Sequence, residues 1–214
     1  MTDSVAARSG GEWPSNRQEK RAAVSAEVKI LSVGYAGERV AGTVALVRDR
    51  DFIAVIDPGM VADRSMILDP LAAAGVDAGA VTDVVFSHHH PDHTLNAALF
   101  QNARFHDFQA TYQNDLWVPR QFADDSDFSR LSDAVRLVRT PGHTAQDVTT
   151  LIETDDGLVA CTHLWWSEFG PLDDPFAVDR DVLRASRERV LAMNPALIVP
   201  GHGLPFAPDT KTPF

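Results

Sequence analysis

Four of the eight histidines lie within six residues, in the segment SHHHPDH. Side chains two residues apart on an extended chain point the same way, so His88 and His90 can face one site while His89 points elsewhere. Asp92 and His93 follow at the turn into a predicted helix. Two imidazoles at this spacing, followed by a carboxylate and a further imidazole, suit a divalent ion of borderline softness such as zinc. The segment therefore predicts a metal site.

Three other histidines stand at turns that follow predicted strands. His143 lies in TPGH, His163 in ACTH and His202 in PGHG. Loops at strand ends commonly carry functional groups, and glycine there lets the backbone approach an ion closely. Any one of them alone would be interpreted as structural, but together with the first cluster they predict one metal centre. His106, in NARFHDF, lacks a turn and is interpreted as a structural or surface histidine.

Simpler interpretations of the histidine cluster remain open. A histidine run can be a surface patch or a purification tag, although a tag would be terminal and this run is internal. Asp92 can cap the helix that begins near His93, a common role of aspartate at a helix start. It can be a metal ligand at the same time.

The elements that must position these histidines are indicated by hydrophobic periodicity. Short runs rich in β-branched residues, separated by glycine and charged turns, predict strands at 28–33, 43–48, 52–57, 81–86, 102–108, 134–140, 147–154, 157–162 and 196–200. Helical patterns cover 61–75, where Pro70 can interrupt the helix, 94–100 and 180–194. This order predicts an α+β fold, a four-layer αββα sandwich with two sheets inside and helices packed outside.

The composition excludes several broad classes of protein. With 214 residues, 44% of them apolar and 23% charged, the chain can bury a core and is not disordered throughout. The formal charge of −11 argues against sequence-independent binding of nucleic acid, which depends on clustered Lys and Arg. No apolar run approaches the roughly 18–20 residues that a membrane span needs.

The beginning of the chain differs in texture from the rest. The first 26 residues are polar and lack a sustained apolar period, including the apolar segment typical of a secretory signal. We therefore expect a polar N-terminal tail at 1–26 and one folded domain at 27–214. The single cysteine, Cys161, is interpreted as a core residue and is compatible with a reducing cytoplasm. We expect a cytoplasmic protein with no membrane partner.

Four motifs resemble those of the metallo-β-lactamase superfamily. HHHPDH matches the H-x-H-x-D-H signature, and Asp57-Pro58-Gly59 is similar to the early D-x-G element. Pro141-Gly142-His143-Thr144 matches the P-G-H-T element, and Gly201-His202-Gly203 matches the C-terminal G-H-G. The resemblance covers about residues 28–206, with the motifs in family order. The segment VGY and the short length without insertions are similar to the group around metallo-β-lactamase domain-containing protein 1.

The resemblance implies an αββα sandwich with a metal site where the two sheets meet. It implies that a first ion is held by His88, His90 and His143. It implies that a second ion is held by Asp92, His93 and His202. Asp57 would orient a ligand imidazole through its other ring nitrogen; alternatively, it is a turn residue before Pro58.

One element departs from the family pattern. The family usually has Gly-Asp after the strand between the third and last histidines, and that aspartate bridges both ions, whereas this chain has Thr162-His163. A neutral imidazole offers one lone pair and no charge. We therefore expect His163 to bind one ion terminally or to hydrogen-bond a coordinated water, with one zinc ion bound tightly and a second weakly or not at all. Alternatively, His163 only packs beside the tryptophans.

The resemblance also implies a hydrolase. A water bound to the ion ionises near neutral pH, and the resulting hydroxide can attack an ester, thioester, lactone, amide or phosphodiester. Asp92 can bind the ion and accept a hydrogen bond from that water. Trp165 and Trp166 point to opposite faces of an extended segment, so one can wall the substrate pocket, although core packing of both is equally compatible. Glu168 and the pair Asp173-Asp174 are interpreted as solvated loop carboxylates.

Two other functions remain open. A centre of histidines and one carboxylate suits ferrous iron, and the superfamily resemblance extends to iron-dependent oxidoreductases; manganese is a further candidate ion. The other alternative is a non-catalytic protein with a weakened second metal site. We expect a small-molecule substrate rather than a nucleic acid. The sequence leaves the substrate, the native metal and the oligomeric state, a homo-oligomer included, undetermined.

Overall fold

β-Branched and aliphatic residues favour extended chain, and the short apolar runs form strands. The computed structural model describes residues 25–122 and 127–214. Within them the strands are β1 (Glu27–Ser32), β2 (Tyr35–Ala36), β3 (Val40–Ala41), β4 (Val44–Asp49), β5 (Phe52–Ile56), β6 (Asp83–Val85), β7 (Arg104–His106), β8 (Ala110–Gln113), β9 (Leu116–Pro119), β10 (Phe128–Arg130), β11 (Val135–Arg139), β12 (Val148–Thr154), β13 (Gly157–Thr162) and β14 (Leu197–Pro200). The helices are α1 (Ser65–Ala73), α2 (Pro91–Thr94) and α3 (Arg180–Ala192), with 3₁₀ turns at Ala78–Ala80 and Ala97–Leu99. Most of the predicted N-terminal tail lies outside the described residues.

The strands pair into two main sheets. The seven-stranded sheet has the order β1-β4-β5-β6-β7-β8-β9, and the five-stranded sheet has the order β10-β11-β12-β13-β14. β5 is parallel to β6, and β13 is parallel to β14. β6 is also parallel to β7. Parallel neighbours need a crossover connection, which α1 supplies between β5 and β6, the segment with α2 between β6 and β7, and α3 between β13 and β14.

Three apolar clusters separate four layers. The cluster between the two sheets includes Val47, Ile56, Leu137 and Ile152. The cluster between the first sheet and α1 includes Leu46, Val55, Ile67 and Leu71. The cluster between the second sheet and α3 includes Leu151, Ile198, Leu183 and Val190. The predicted αββα sandwich is confirmed. No helix of the described residues is both long enough and apolar enough to cross a membrane.

Two helices differ from the prediction. α1 is shorter than 61–75 and contains Pro70. In place of a helix at 94–100, α2 begins at Pro91, whose restricted φ suits the first helical position. Asn96 then ends the helical run, because its backbone N–H donates to Pro58 O and its side chain donates to Gly59 O. The chain is thereby held against the turn that follows β5.

Three features of the sheets were not predicted: the β8–β9 hairpin, the edge strand β10 and a separate two-stranded sheet of β2 and β3. β8 and β9 form a hairpin around Asn114, which has a φ of 54°. Asn tolerates this left-handed conformation and is common in two-residue hairpin turns. β8 is mostly half-buried and β9, with the sequence LWVP, is apolar but exposed, so the segment lacks the apolar–polar alternation that indicates a strand. β10 is a three-residue edge strand, too short to show a hydrophobic pattern.

The candidate metal residues follow strand ends at one edge of the sandwich. The loops after β5, β6, β11, β13 and β14 carry them. Backbone hydrogen bonds hold two of these loops against the opposite sheet: Val148 N, at the start of β12, donates to Ser87 O at 2.9 Å, and Thr43 N, just before β4, donates to Gly201 O at 2.7 Å. The fold therefore brings histidines from distant parts of the chain to one place.

Candidate metal centre

Three histidines form the first group of metal-ligand candidates. His88 Nε2 lies 3.0 Å from His90 Nδ1, and His143 Nε2 lies 3.1 Å from the same atom. His88 and His143 are buried, whereas His90 is exposed. Three ring nitrogens this close can share one ion, and the exposed ring leaves a side of the group open to solvent. The structure brings together the three residues predicted for the first ion.

Asp92, His93 and His202 form the second group. Asp92 Oδ2 lies 3.3 Å from His93 Nε2 and 3.6 Å from His202 Nε2. Asp92 is a residue of α2, whose N-cap is His90, so its interpretation as a cap is wrong. His93 is fully buried, and its Nε2 has no hydrogen-bond partner among the described residues. A buried nitrogen without a partner is costly, and an ion would satisfy it.

His163 lies between the two groups. Its Nε2 is 3.0 Å from His202 Nε2, and its ring centroid is 4.1 Å from that of His143 and 4.5 Å from that of His88. Its Nδ1 is buried and has no hydrogen-bond partner within the described ranges. The imidazole thus occupies the space between both groups, where the family pattern has a carboxylate.

In the four other buried histidines of the centre, the ring nitrogen Nδ1 has a hydrogen-bond partner. The contacts are His88 Nδ1 to Ser87 Oγ at 3.0 Å, His93 Nδ1 to Asp57 Oδ2 at 2.9 Å, His143 Nδ1 to Asp174 Oδ2 at 2.7 Å, and His202 Nδ1 to Ala41 O at 2.9 Å. Such partners orient a ring and present its other nitrogen to an ion. The donor set is therefore organised for metal binding.

Asp57 performs both of the roles considered for it. One carboxylate oxygen contacts His93, and the other accepts from Ser87 N at 2.7 Å. Its φ of 51° also makes it the turn residue after β5. Gly59, two residues later, has no room for a side chain, because a Cβ there would lie 1.6 Å from Asp92 O. The Asp57–Gly59 turn thus packs directly against the metal loop.

Burial and neighbouring charges shift the pKa values of the centre. Burial, reinforced by the surrounding imidazoles, lowers the pKa of His88 and of His163 well below the usual range. Burial acts the same way on His93, but the carboxylates of Asp57 and Asp92 outweigh it and raise the pKa of His93 to about 9. Burial would raise the pKa of Asp92, yet its close contact with the protonated ring of His93 lowers it to about 2. His88 and His163 thus offer neutral lone pairs beside the ionised Asp92, whereas His93 has to release its proton before it can bind an ion.

Asp174 corrects the prediction of a solvated loop carboxylate. Its side chain is buried, and it contacts His143 Nδ1 and Trp166 Nε1. Sequence reasoning missed it because an aspartate in a loop is usually exposed, and nothing in its neighbours marks it as a partner of a histidine. Asp173 and Glu168 are exposed, as expected.

The two tryptophans separate as their alternation indicates. Trp165 is fully buried in the second sheet's outer core, and its Nε1 donates to Pro213 O. Its prediction as a pocket residue is therefore wrong. Trp166 stacks on Phe176, with ring centroids 5.8 Å apart, and faces His202 at 5.7 Å. Trp166 alone of the pair lines the site.

The remaining histidines and the cysteine lie apart from the centre. His89 Nε2 is 3.0 Å from Asp107 Oδ2 and points away from His88 and His90. His106 is buried and contacts Asp83 Oδ1 at 2.7 Å, a structural position. Cys161 is buried in the core between the sheets, and burial raises the pKa of its thiol.

A cavity of about 570 Å³ opens above the centre. Its floor is formed by His90, Asp92, His143, His163 and His202. Its apolar wall is formed by Val40, Trp166, Pro175 and Phe176. No lysine or arginine is among the described residues that line it.

The chemistry of the donor set indicates which ions fit. Imidazole nitrogens dominate, with one carboxylate, and this mixture suits zinc or iron better than magnesium or calcium. The two buried ring nitrogens without partners, on His93 and His163, fit the same conclusion. The residues present can hold a transition-metal ion.

Comparisons with known proteins show the family and the fold of the chain. A sequence model of the family described as "Metallo-beta-lactamase superfamily" matches residues 37–107. The chain is 34% identical over 164 residues to metallo-beta-lactamase domain-containing protein 1 of Rattus norvegicus, a match that covers 71% of this chain and 62% of the rat protein. The chain thus spans about three fifths of the length of that relative.

Two solved structures share the fold. A metallo-beta-lactamase-type protein of Thermotoga maritima superposes with a TM-score of 0.66 and 22% identity, covering 86% of this chain and 100% of that chain. An N-acyl homoserine lactone hydrolase with its product, N-hexanoyl-L-homoserine, at the catalytic metal centre superposes with a TM-score of 0.61 and 16% identity, covering 84% and 93%. At these identities the likeness is one of fold.

Proposed function

The chain belongs to the metallo-beta-lactamase superfamily, and from that premise we propose that it is a metal-dependent hydrolase of small, uncharged acyl compounds. The observation that carries the proposal is the convergence of six histidines and Asp92 beneath an open cavity. A purely structural metal site is closed by its protein ligands, whereas a catalytic site keeps a side open to substrate. The position of His90 and the cavity above it match the open type.

Each residue of the centre has a defined part in this proposal. His88, His90 and His143 would hold the first ion, and Asp92, His93 and His202 would hold a second, weaker one. A bound zinc ion would acidify a water molecule and polarise a substrate carbonyl. Asp92 is ionised at neutral pH, because its pKa is about 2. It therefore accepts hydrogen bonds from water rather than storing a proton.

The cavity wall supports an uncharged acyl substrate. Val40, Trp166 and Phe176 offer apolar surface, and no cationic side chain among the described lining residues is available to bind a phosphate or carboxylate. Phosphate recognition in proteins usually relies on arginine, lysine or helix N-termini. Esters, thioesters, lactones and amides are therefore favoured over phosphodiesters. The lactone named for the lactone hydrolase neighbour, an N-acyl homoserine lactone, is an uncharged acyl compound of this kind.

The proposed function implies that the chain binds zinc and a small-molecule substrate. The one cysteine, Cys161, is buried and unpaired, which suits a reducing compartment such as the cytoplasm. Fractionation of the source cells with an antibody to the chain would test this location.

A matched pair of histidine variants tests the proposal. The purified chain is analysed for zinc, iron and manganese and assayed on ester, thioester, lactone, amide and phosphodiester substrates. We expect zinc-dependent turnover of an ester or lactone, lost in His88→Ala and largely kept in His89→Ala, because His89 faces away from the centre. Loss of bound metal to the same extent in both variants would contradict the assignment of His88.

Two other results would replace the hydrolase proposal. Bound iron together with substrate-dependent oxygen consumption would indicate an oxidoreductase. Bound zinc without turnover of any substrate class would indicate a metal-binding protein that does not catalyse hydrolysis.

A further inference from the structure

The carboxylate of Asp174 contacts both a metal-ligand candidate, His143, and a residue of the cavity wall, Trp166. Its Oδ2 is 2.7 Å from His143 Nδ1 and accepts from Trp166 Nε1 at 3.2 Å. His143 belongs to the three-histidine group, whereas Trp166 belongs to the apolar wall of the cavity. One oxygen atom is therefore shared between a ligand candidate and a wall residue.

Asp174 determines which nitrogen of His143 is free. A carboxylate accepts hydrogen bonds, so the Nδ1 of His143 carries the proton. The neutral ring then has its lone pair on Nε2, the atom that lies 3.1 Å from His90 Nδ1. Asp174 thus selects the tautomer of His143 that an ion at the three histidines requires.

The same residue also holds the wall. The second oxygen of Asp174, Oδ1, accepts from Phe176 N at 2.9 Å, and the Phe176 ring stacks on Trp166 with an interplanar angle of 13°. Val178 N donates to His143 O at 3.2 Å, which ties the following segment to the same histidine. The wall residues therefore cannot move freely without disturbing His143.

We propose that Asp174 is a positioning residue that couples metal binding at His143 to the placement of the Trp166–Phe176 wall, and hence to substrate binding. The inference rests on the proposed function in taking the three histidines to hold an ion. Coupling of this kind is reciprocal: an ion that tightens the His143–Asp174 contact orders the wall, and a substrate packed on Trp166 strengthens retention of the ion.

The test compares two isosteric variants of neighbouring aspartates. Asp174→Asn removes the charge of the shared carboxylate, and Asp173→Asn makes the same charge change on an exposed neighbour. Zinc affinity of the full-length chain is measured by competition with a chelator. We expect zinc to bind about 10–100-fold more weakly to Asp174→Asn, a loss typical of removing such an outer partner, and equally well to Asp173→Asn and wild type.

A second measurement reports on the wall itself. The indole N–H resonance of Trp166, assigned by its absence in Trp166→Phe, is followed by NMR during zinc addition. We expect the resonance to shift in the wild type and in Asp173→Asn but to stay in place in Asp174→Asn. Equal zinc affinity of the two asparagine variants, or an equal shift of the indole resonance in both, would overturn the proposal.

Trp166→Phe keeps the proposal testable if Asp174→Asn does not fold. Phenylalanine preserves the stack on Phe176 but no longer donates to Asp174, so the wall no longer helps to hold the carboxylate against His143 and zinc should bind several-fold more weakly. An unchanged zinc affinity would overturn the coupling. A wild-type chain that binds no zinc would overturn both the coupling and the proposed function, whereas zinc binding without turnover would overturn the function alone.

Discussion

At the scale of single residues, the identity of residue 163 determines how much negative charge the centre offers to bound metal ions. His163 lies between the two ligand groups, 3.0 Å from His202 Nε2. A bridging carboxylate would supply one negative charge and two oxygens at this position, whereas a neutral imidazole supplies one lone pair. Asp92 then remains the one carboxylate in the two proposed ligand groups. Two divalent ions at close range would repel each other with little compensation.

We therefore predict that His163→Asp strengthens binding of a second ion. At an effective dielectric constant of about 20, a unit charge about 4 Å from another contributes about 4 kcal/mol, so a gain of at least about tenfold in affinity is expected, since tenfold needs only about 1.4 kcal/mol. Zinc titration followed by calorimetry measures both binding steps. His163→Ala serves as the control, because it removes the imidazole without adding charge. Two equally tight zinc ions in the wild type would contradict the argument.

Residue types and spacing were enough to find most of the centre. His88 and His90 are recognisable because alternate residues share a face, and His143 and His202 because each stands at a glycine turn after a strand. Asp174 was not recognisable, since its burial depends on the loop that carries it folding back onto His143. Contacts between residues 31 positions apart are a property of the tertiary structure, which local patterns do not encode.

At the scale of secondary structure elements, a chain of buried hydroxyl groups links the strand ends that carry two of the histidines. Thr149 Oγ1 lies 2.9 Å from Thr140 Oγ1 and 2.7 Å from Thr162 Oγ1. The three threonines lie on or beside β12, β11 and β13, and all are buried. Thr140 precedes the turn to His143, and Thr162 directly precedes His163. The chain of hydroxyls thus sets the relative position of the two loops.

Thr149→Val should destabilise the fold and loosen the centre. Valine has the shape of threonine but leaves the hydroxyls of Thr140 and Thr162 without their shared partner, which costs about 1–3 kcal/mol of unfolding free energy. Urea unfolding of the metal-free protein measures this loss, and zinc competition measures the accompanying weaker binding. Thr149→Ser should restore both properties, because it returns the hydroxyl. Wild-type stability in the valine variant would show that the hydroxyl chain is unimportant.

A buried carboxylate in β6 makes stability depend on pH. Asp83 is fully buried, 2.7 Å from His106 Nε2 and 2.9 Å from Arg104 Nη2. Burial would raise the pKa of Asp83, but the hydrogen bond from His106 and its other partners lower it below the usual value. A lowered pKa in the folded state means that the contribution to stability is present above the unfolded pKa and is lost as pH falls through the folded pKa.

Asp83→Asn should therefore reduce stability at pH 7 and flatten the acid side of the profile. Loss of a hydrogen-bonded charge in a buried network costs about 1.5–3 kcal/mol. The free energy of unfolding of the metal-free chain, measured in urea from pH 7 down to pH 3, should fall less steeply in Asp83→Asn than in wild type. Asp77→Asn, at an exposed position, should reproduce the wild-type profile. Parallel profiles for wild type and Asp83→Asn would contradict the assignment.

Long, buried strands could be predicted from the sequence more accurately than exposed or very short elements. β12 and β13 are long, buried and rich in β-branched residues, and their positions match the predicted runs closely. The β8–β9 hairpin carries little hydrophobic alternation, because β9 is exposed along its whole length. α2 was misplaced because four residues are too few for a helical period, so its start is governed by Pro91 and its end by contacts of Asn96. Long-range packing, rather than local preference, determines such short elements.

At the scale of the whole molecule, the centre joins two halves of the chain. His88, His90, Asp92 and His93 follow β6 of the seven-stranded sheet, whereas His143, His163 and His202 follow strands of the five-stranded sheet. Each proposed ion takes ligands from both sides. An ion at either group would therefore link the two sheets at the edge where their loops meet, in addition to the apolar cluster between them.

Removal of the metal should consequently lower the melting temperature of the whole chain. An ion that binds only the folded state, at a free concentration 100 times its dissociation constant, stabilises by about 2.7 kcal/mol. For a chain of this size 1 kcal/mol corresponds to about 2–4 °C, so a chelator should lower the melting temperature by about 5–11 °C. Calorimetry with and without chelator measures the difference.

His90→Ala should lose most of this response, because its ring nitrogen is common to both close contacts of the first group. His89→Ala should keep the full response, since His89 contacts Asp107 outside the centre. A wild-type melting temperature that does not respond to the chelator would mean that the two sheets are held together without an ion.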